Sequence, residues 1–374
     1  MTVRNRLFAA ARRPRSLSAS SLLPLLLLSI FPVALFFGPL SAAHPQSSPS
    51  TTWAVTIVLP PNLVADRPAT LAVLGVDGRL AEGVIVDLGS HSGIDVRVKT
   101  DKTGRAVFLV PSDASALIAK ASGASAAALI DPPPAPNSPT AAAISLPSVV
   151  SIQDAFPICG GAFHGEVEAD HLTLDGDPAL VLAASPGCLV ILPGPRALPG
   201  PAKISIQMVR APDWAGQTTL VALHFDPPVP PLVTEKKSNL VLHVQASDQP
   251  LDILVENKTP GILRFLRGDS QRLRTSGGAQ NVATVEIQAI SAGDFSFHAR
   301  LLANPEPDIA RRYLEAAAKI APTDLQRQVR GLAKRLEHNP RDAQKVSAQI
   351  QKILSYTMEG DFRTLLDSAH SALQ

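Results

Sequence analysis

The chain has 374 residues, 45% of them apolar and 18% charged, a balance that excludes global disorder. Five arginines fall in the first fifteen residues and no acid precedes Asp66, so the formal charge of +2 belongs to a leader. The remainder of the chain is weakly acidic, which disfavours a basic nucleic-acid footprint.

Residues 22–40 (LLPLLLLSIFPVALFFGPL) carry no charge, come after the arginines and precede Ser41-Ala42-Ala43. This order predicts an export signal over 1–43, with small residues placed for cleavage before His44. An uncleaved anchor is the alternative, because 19 residues at ~1.5 Å each approach the thickness of a bilayer core. No cysteine stands directly behind the apolar run, where Ser41-Ala42-Ala43-His44 lie, so lipoprotein attachment is not expected. Either outcome predicts an extracytoplasmic protein (periplasmic, secreted or on the cell surface), with membrane contact only if the segment stays uncleaved.

The Ser-, Pro- and Thr-rich residues 44–52 read as a flexible leader. From 53 to 130 the pattern is that of short strands: 53–58 (WAVTIV), 70–74 (TLAVL), 84–88 (VIVDL), 96–99 (VRVK) and 106–110 (AVFLV), with a turn signal at Asp77-Gly78. Residues 112–130 are rich in Ala and Ser, and DPPPAPNSP opens a proline-rich linker over 131–148. Strand-like runs resume over 149–212 at 181–183, 189–192 and 203–207, and over 213–303 at 220–225, 240–244, 251–255, 262–265, 282–287 and 295–299. Alternation in several of these fits antiparallel strands with one wet face. The proline-rich residues 227–231 read as a loop or a crossing between sheets.

After Pro305 the apolar period lengthens to about 3.6, predicting a helical region over 304–374. The first helix spans about 308–321. The second opens at Thr323 as N-cap and carries Leu325, Val329, Leu332 and Leu336 along one seam. The third opens at Asn339 with Pro340 in its first position and continues through Val346, Ile350, Ile353 and Thr357. The fourth is capped by Asp361 and uses Phe362, Leu366, Ala369 and Leu373. The stripes predict packing on the preceding module or on one another, with oligomer or partner contact as the alternative.

Two stretches resemble known families. The run 156–165 (FPICGGAFHG), then His171 through Val181, then 189–193 (LVILP) and 200–206 (GPAKISI), looks like the IPT/TIG immunoglobulin-like family. The likeness covers about sixty residues and departs from the family pattern at Cys159 and Cys188. Separately, 100–108 (TDKTGRAVF) is similar to the hairpin of bacterial immunoglobulin-like and transthyretin-like extracellular modules. These resemblances imply extracytoplasmic spacers, adhesion modules or non-catalytic appendages, families with no shared catalytic residues to transfer.

Cys159 and Cys188 are the chain's two cysteines, and in an oxidising compartment they are expected to pair; free thiols and a metal ligand are the alternatives. The dense run 164–171 (HGEVEADH) places His164, Glu166, Glu168 and Asp170 on one side if extended, an acidic wet face, with His171 on the other. Arg264, Arg267, Arg272 and Arg274 interleave with Phe265, Leu266 and Leu273, giving a candidate cationic strand face. Glu166, Glu168, Asp170, Arg264, Arg267 and Arg272 form the candidate polar binding patch. Asn257-Lys258-Thr259 fits a glycosylation sequon, and Arg267-Gly268-Asp269 spells an integrin-type tripeptide. No P-loop, dinucleotide fingerprint, zincin motif or nucleophile elbow occurs in the sequence, so neither catalytic residues nor a cofactor or metal are expected.

The expectation is therefore a mainly β chain: tandem immunoglobulin-like β-sandwiches at 53–130, 149–212 and 213–303, then a C-terminal α-helical region. The function expected is non-catalytic binding or scaffolding in the cell envelope, with an unidentified envelope protein or polysaccharide as partner and no nucleic acid. The alternative is a hydrolase, or its accessory, acting on envelope polysaccharide through acids such as Glu166 or Asp170.

Overall fold

A computed structural model describes residues 5–6, 55–90, 95–133, 143–209, 211–226 and 236–374. The expected leader 44–52 lies outside these residues. So do the expected export signal, apart from Asn5–Arg6 (β1), and most of the proline-rich linker. The two-residue β1 pairs with Asp294–Phe295. No helix among the described residues is long and apolar enough to cross a membrane.

The first module contains β2 (Thr56–Val58), β3 (Asn62–Val64), β4 (Pro68–Leu74), β5 (Ile85–Ser90), β6 (Asp95–Lys99), β7 (Arg105–Leu109), β8 (Ala116–Ala121) and β9 (Ala124–Asp131). Strand β4 carries β7 on one edge and β2 on the other, while β3, β9, β8, β5 and β6 form a second sheet in that order. Alternate residues of the two sheets, among them Leu71, Val73, Val86, Leu88, Phe108 and Leu117, close on one apolar core. The turn before β7 explains the TDKTG motif. Asp101 Oδ1 accepts from Thr103 N–H at 2.7 Å and Arg105 N–H at 3.2 Å. Thr100 Oγ1 accepts from Val84 N–H at 2.9 Å and donates to the Ala81 carbonyl at 2.7 Å. Gly104 adopts φ 69°, where any Cβ would also meet Leu80 and Ala81 at 2.7 Å.

The second module contains β10 (Val149–Ser151), β11 (Phe156–Cys159), β12 (His171–Leu174), β13 (Asp177–Pro178), β14 (Leu180–Ala184), β15 (Cys188–Leu192) and β16 (Gly200–Gln207), with the start of β17 (Trp214–Asp226). Its core, around Ile158, Phe163, Leu189, Ile204, Ile206 and Leu220, lies between β11–β15–β14 and the sheet containing β12, β16 and β17. Cys159 and Cys188 face each other across the β11–β15 ladder and form the expected disulfide.

The third module contains the rest of β17, then β18 (Lys237–Gln245), β19 (Asp252–Asn257), β20 (Leu263–Phe265), β21 (Ser270–Arg274), β22 (Val282–Ala289), β23 (Asp294–Phe295) and β24 (Phe297–Leu301). The sheet β17–β18–β22–β20 and the sheet β21–β19–β24 meet at Leu223, Phe225, Leu242, Val255, Phe265 and Phe297.

Neither sheet system stops at a module border. The pairing of Ala184 with Thr70 joins β14 to β4, so one six-stranded sheet runs from the second module into the first. Strand β17 pairs with β16 through Leu220 and with β18 from Ala222 onward. Leu220 enters the second core, while Val221, Leu223 and Phe225, on the opposite side, enter the third.

Four helices complete the chain: α1 (Pro307–Ile320), α2 (Thr323–His338), α3 (Ala343–Leu354) and α4 (Asp361–Ser371). Their starts differ slightly from expectation. Pro322 rather than Thr323 is the N-cap of α2, and Gly360 rather than Asp361 that of α4. Asn339 does cap a turn, accepting from Arg341 N–H at 3.3 Å, but that turn is a 3₁₀ segment (Pro340–Asp342) before α3. The seam side chains Val329, Leu332, Leu336, Val346, Ile350, Ile353, Phe362 and Leu366 are buried together.

The helices pack on one another and on the first module, and among the described residues their apolar core takes in nothing from the third module, which precedes them. Their core takes in Ala116, Ile118 and Leu129, which project from the outer face of β8 and β9. Arg312 binds Asp131 Oδ1 at 2.5 Å, Tyr313 donates to the Ala127 carbonyl at 3.2 Å, Ser125 meets Thr364 at 2.8 Å, and Lys120 pairs with Asp361. Burial pushes the Tyr313 phenol well above its ordinary pKa, so it stays protonated as a donor. Strand β8 is thus covered on both faces, which accounts for its near-continuous apolar sequence ALIAKA.

Two measurements test these contacts. Replacing both Cys159 and Cys188 by Ser releases a loop spanning 29 residues and is expected to lower stability by about 3 kcal/mol, read from the denaturant midpoint. His370 lies against Ser347 at 3.0 Å, and burial holds its pKa below the ordinary 6.5. The unfolded chain therefore binds the proton more readily. The contribution of His370 is fully present above pH ~6.5 and declines as pH falls through its depressed folded value. His370→Gln is expected to flatten that part of the stability–pH curve, and an unchanged curve would refute the assignment.

Candidate functional site

The sequence places six residues in a polar patch; the structure distributes them over separate surfaces. Residues 161–170 are a loop rather than an extended strand, and Asp170 does not share the exposed side of Glu166 and Glu168. The physical reason is Asp170, which is buried and accepts backbone N–H groups from His164 at 2.6 Å and Val209 at 3.2 Å. Such a carboxylate closes a loop in the manner of an N-cap and is turned away from solvent. Glu166 and Glu168 remain exposed on the loop.

The loop is held down on the first module. Thr70 Oγ1 donates to the Gly165 carbonyl at 2.7 Å, and a Cβ at Gly165 would fall 1.9 Å from the Pro68 carbonyl oxygen. Only glycine permits this approach of the loop to β4. Beside it Arg105 donates to the Val181 carbonyl of the second module at 2.7 Å. Burial lowers the Arg105 pKa, while Asp101 and Glu168 oppose that shift by attraction. The sequence reading passed over Arg105, although its outward position beside the AVFLV strand is implied by period two.

The arginines do not form one strand face either. Gly268, at φ 96°, turns the chain between β20 and β21, which belong to different sheets. Arg264 bonds Gln288 at 2.8 Å, Arg267 lies 3.7 Å from Glu286, and Arg272 and Arg274 reach Asp252 at 3.2 and 3.4 Å. Each guanidinium already has a partner, a neutral amide for Arg264 and a carboxylate for Arg267, Arg272 and Arg274.

The sequon is also engaged in the fold. Asn257 is buried, its Nδ2 donates to the Leu263 carbonyl at 2.6 Å and to Asp269 at 3.2 Å, and its Oδ1 accepts from Thr259 N–H at 3.0 Å. His224 and His243 stack at 5.0 Å between β17 and β18, with His243 2.6 Å from Asp226. Among the described residues no three His, Cys, Asp or Glu side chains converge as metal ligands. A cleft of about 350 Å³ lies where α1 and α4 meet β9, lined by Ser125, Tyr313, Thr364, Asp367, Ser368 and Ser371. Its hydroxyls are largely engaged: Thr364 with Ser125 and the Gly360 carbonyl, Ser368 with the Thr364 carbonyl.

No family model matches the chain, and no curated protein is similar to it. Among solved structures, SGBP-B of the Bacteroides ovatus mixed-linkage glucan utilization locus, in complex with a heptasaccharide, matches at 10% identity. The match covers 71% of this chain and 63% of that one, with a TM-score of 0.17. The insect immune protein hemolin matches at 11% identity over 63% of this chain and 73% of that one, TM-score 0.23. Domains 1–6 of the surface layer protein SbsC match at 11% over 66% and 38%, TM-score 0.16. The chain thus spans less than two thirds of SGBP-B, and TM-scores of this size do not establish a shared architecture.

Asp170→Ala leaves the His164 and Val209 amides without their acceptor. It is expected to lower stability by about 1–3 kcal/mol and to speed hydrogen exchange at both amides. Arg267→Ala, at an exposed pair, is expected to change stability by less than about 0.5 kcal/mol in the same assay.

Proposed function

We propose that the chain is an exported, non-catalytic binding or scaffold protein of the cell envelope, its three strand-built modules being immunoglobulin-like units that present recognition surfaces. One observation carries this reading. The polar groups that looked most available for chemistry are engaged in holding loops: Asp170 on two backbone amides, and Asn257 on the Leu263 carbonyl and Asp269. The interior between the sheets is filled by aliphatic and phenyl side chains, among them Leu71, Ile191, Ile204, Phe265 and Phe297. Continuous sheets make the modules a stiff support, and stiffness favours display of a surface. The disulfide and the apolar leader support an oxidising location.

Hydrolysis of an envelope polysaccharide is the competing reading. It would need two carboxyls facing one another at about 5–10 Å. Glu166 and Glu168 stand on one exposed loop, and Asp170 turns inward to amides. The proposal is tested by in-cell crosslinking of a tagged, correctly exported protein, with mass spectrometry of its neighbours and of its mature amino terminus. Recovery of an envelope protein or polysaccharide, with a start at His44, is expected. Recovery of neither, or release of reducing ends from envelope glycan by the purified chain, would overturn it.

A further inference from the structure

Among the described residues strand β7 pairs with β4 alone, and although β6 lies close by, no strand is hydrogen-bonded to its other edge. Val73 N–H bonds the Gly104 carbonyl at 3.0 Å and Val110 N–H bonds the Arg67 carbonyl at 3.0 Å, which fixes the phase of the ladder. Even-numbered residues of β7 therefore turn their amides and carbonyls to β4, and odd-numbered ones turn theirs away. The outward groups of Arg105 are taken by Asp101, which donates its own N–H to the Arg105 carbonyl at 2.8 Å and accepts the Arg105 N–H. Those of Val107 and Leu109 meet no described strand. Their side chains lie on the outer face, 55% and 66% exposed.

Edges of this kind are ordinarily blunted by proline or charge. At four other edges they are: Pro178 stands on β13, Pro157 on β11, Arg97 and Lys99 on β6, and Arg272 and Arg274 on β21, whereas the three-residue β2 and β3 are blunted by their shortness. On β7 the one outward charge, Arg105, is drawn back to Val181. Beside this edge, Thr70 is the register partner of Val107 and holds Gly165, so the loop bearing Glu166 and Glu168 overlies the next strand. Neither glutamate forms a salt bridge among the described residues, although Glu168 lies near enough to attract Arg105.

We propose that β7 is a strand-addition site for an extended segment of a partner protein, apolar at two alternate positions and basic at a third on the same face. The segment pairs with the outward backbone groups of Val107 and Leu109 and lays its apolar side chains on theirs. Its lysine or arginine reaches back over β7 toward Glu166 and Glu168, a span of about two strand spacings of ~4.8 Å. Main-chain bonds supply affinity, and the alternate side chains and the acids supply selectivity. The inference rests on the binding role proposed above and names its surface and partner class.

The test uses the full chain and a short synthetic peptide with two valines and one lysine at alternate positions and threonine between them. Saturable binding is expected, weakened by salt, with new hydrogen-exchange protection at the Val107 and Leu109 amides. Val107→Pro removes an outward N–H and leaves the β4 ladder intact, as an edge position tolerates. It is expected to weaken binding about tenfold with an unchanged thermal transition. Leu109→Lys, which adds an edge charge, is expected to act in the same direction, and Glu166→Gln with Glu168→Gln to remove the salt dependence. Protection elsewhere, equal binding by folded Val107→Pro, or protection of the same amides by self-association of the chain alone would overturn the proposal. If crosslinking recovers the same envelope partner with wild type and Val107→Pro, the strand-addition site fails and the binding role stands. If neither recovers a partner, the binding role fails.

Discussion

Backbone hydrogen bonding across module borders is the constraint on which the rest of the molecule depends. A chain of separate β units joined by linkers leaves each unit free to turn. Here the Ala184–Thr70 pairing carries one sheet from the second module into the first, and β17 carries another from the second into the third. Rotation would break the one register pair at the first border and ladder bonds along the shared strand at the second, leaving backbone groups unpaired. The module contacts built on these pairings, Thr70 with Gly165 and Arg105 with Val181, need that fixed geometry.

The sharing of β17 also shows how one strand serves two interiors. Period two gives it two faces, and the register of its partners decides which face is inside. Leu220 is buried on one side, and Val221, Leu223 and Phe225 on the other. An apolar run such as LVALHF satisfies both requirements, so a sequence divided by local pattern places a border at 212–213, just before a strand that belongs to both sides.

Local periodicity made most strands and all four helices legible, because Ile57, Val73 or Leu336 announce burial through spacing alone. Elements that depend on distant partners were not legible. Asp170 looked like a surface acid because one of its two donors, Val209, lies 39 residues away. The arginines near 270 looked like one face because nothing local states that the turn at Gly268 sends the chain into a second sheet. The Ala- and Ser-rich residues 112–130 showed no clear face, since β8 is buried on both sides and its outer cover arrives from α1 and α4. Small side chains at Ala116 and Ala127 let those helices approach closely.

That cover joins Asp131 to Arg312 and Ser125 to Thr364, partners separated by 181 and 239 residues. In a chain made amino terminus first, β8 and β9 emerge long before α4. During that interval the outer face of β8 and β9, around Ala116, Ile118 and Leu129, lacks its helical cover. Cover for one face of the first module is thus supplied from the far side of two other modules in the sequence.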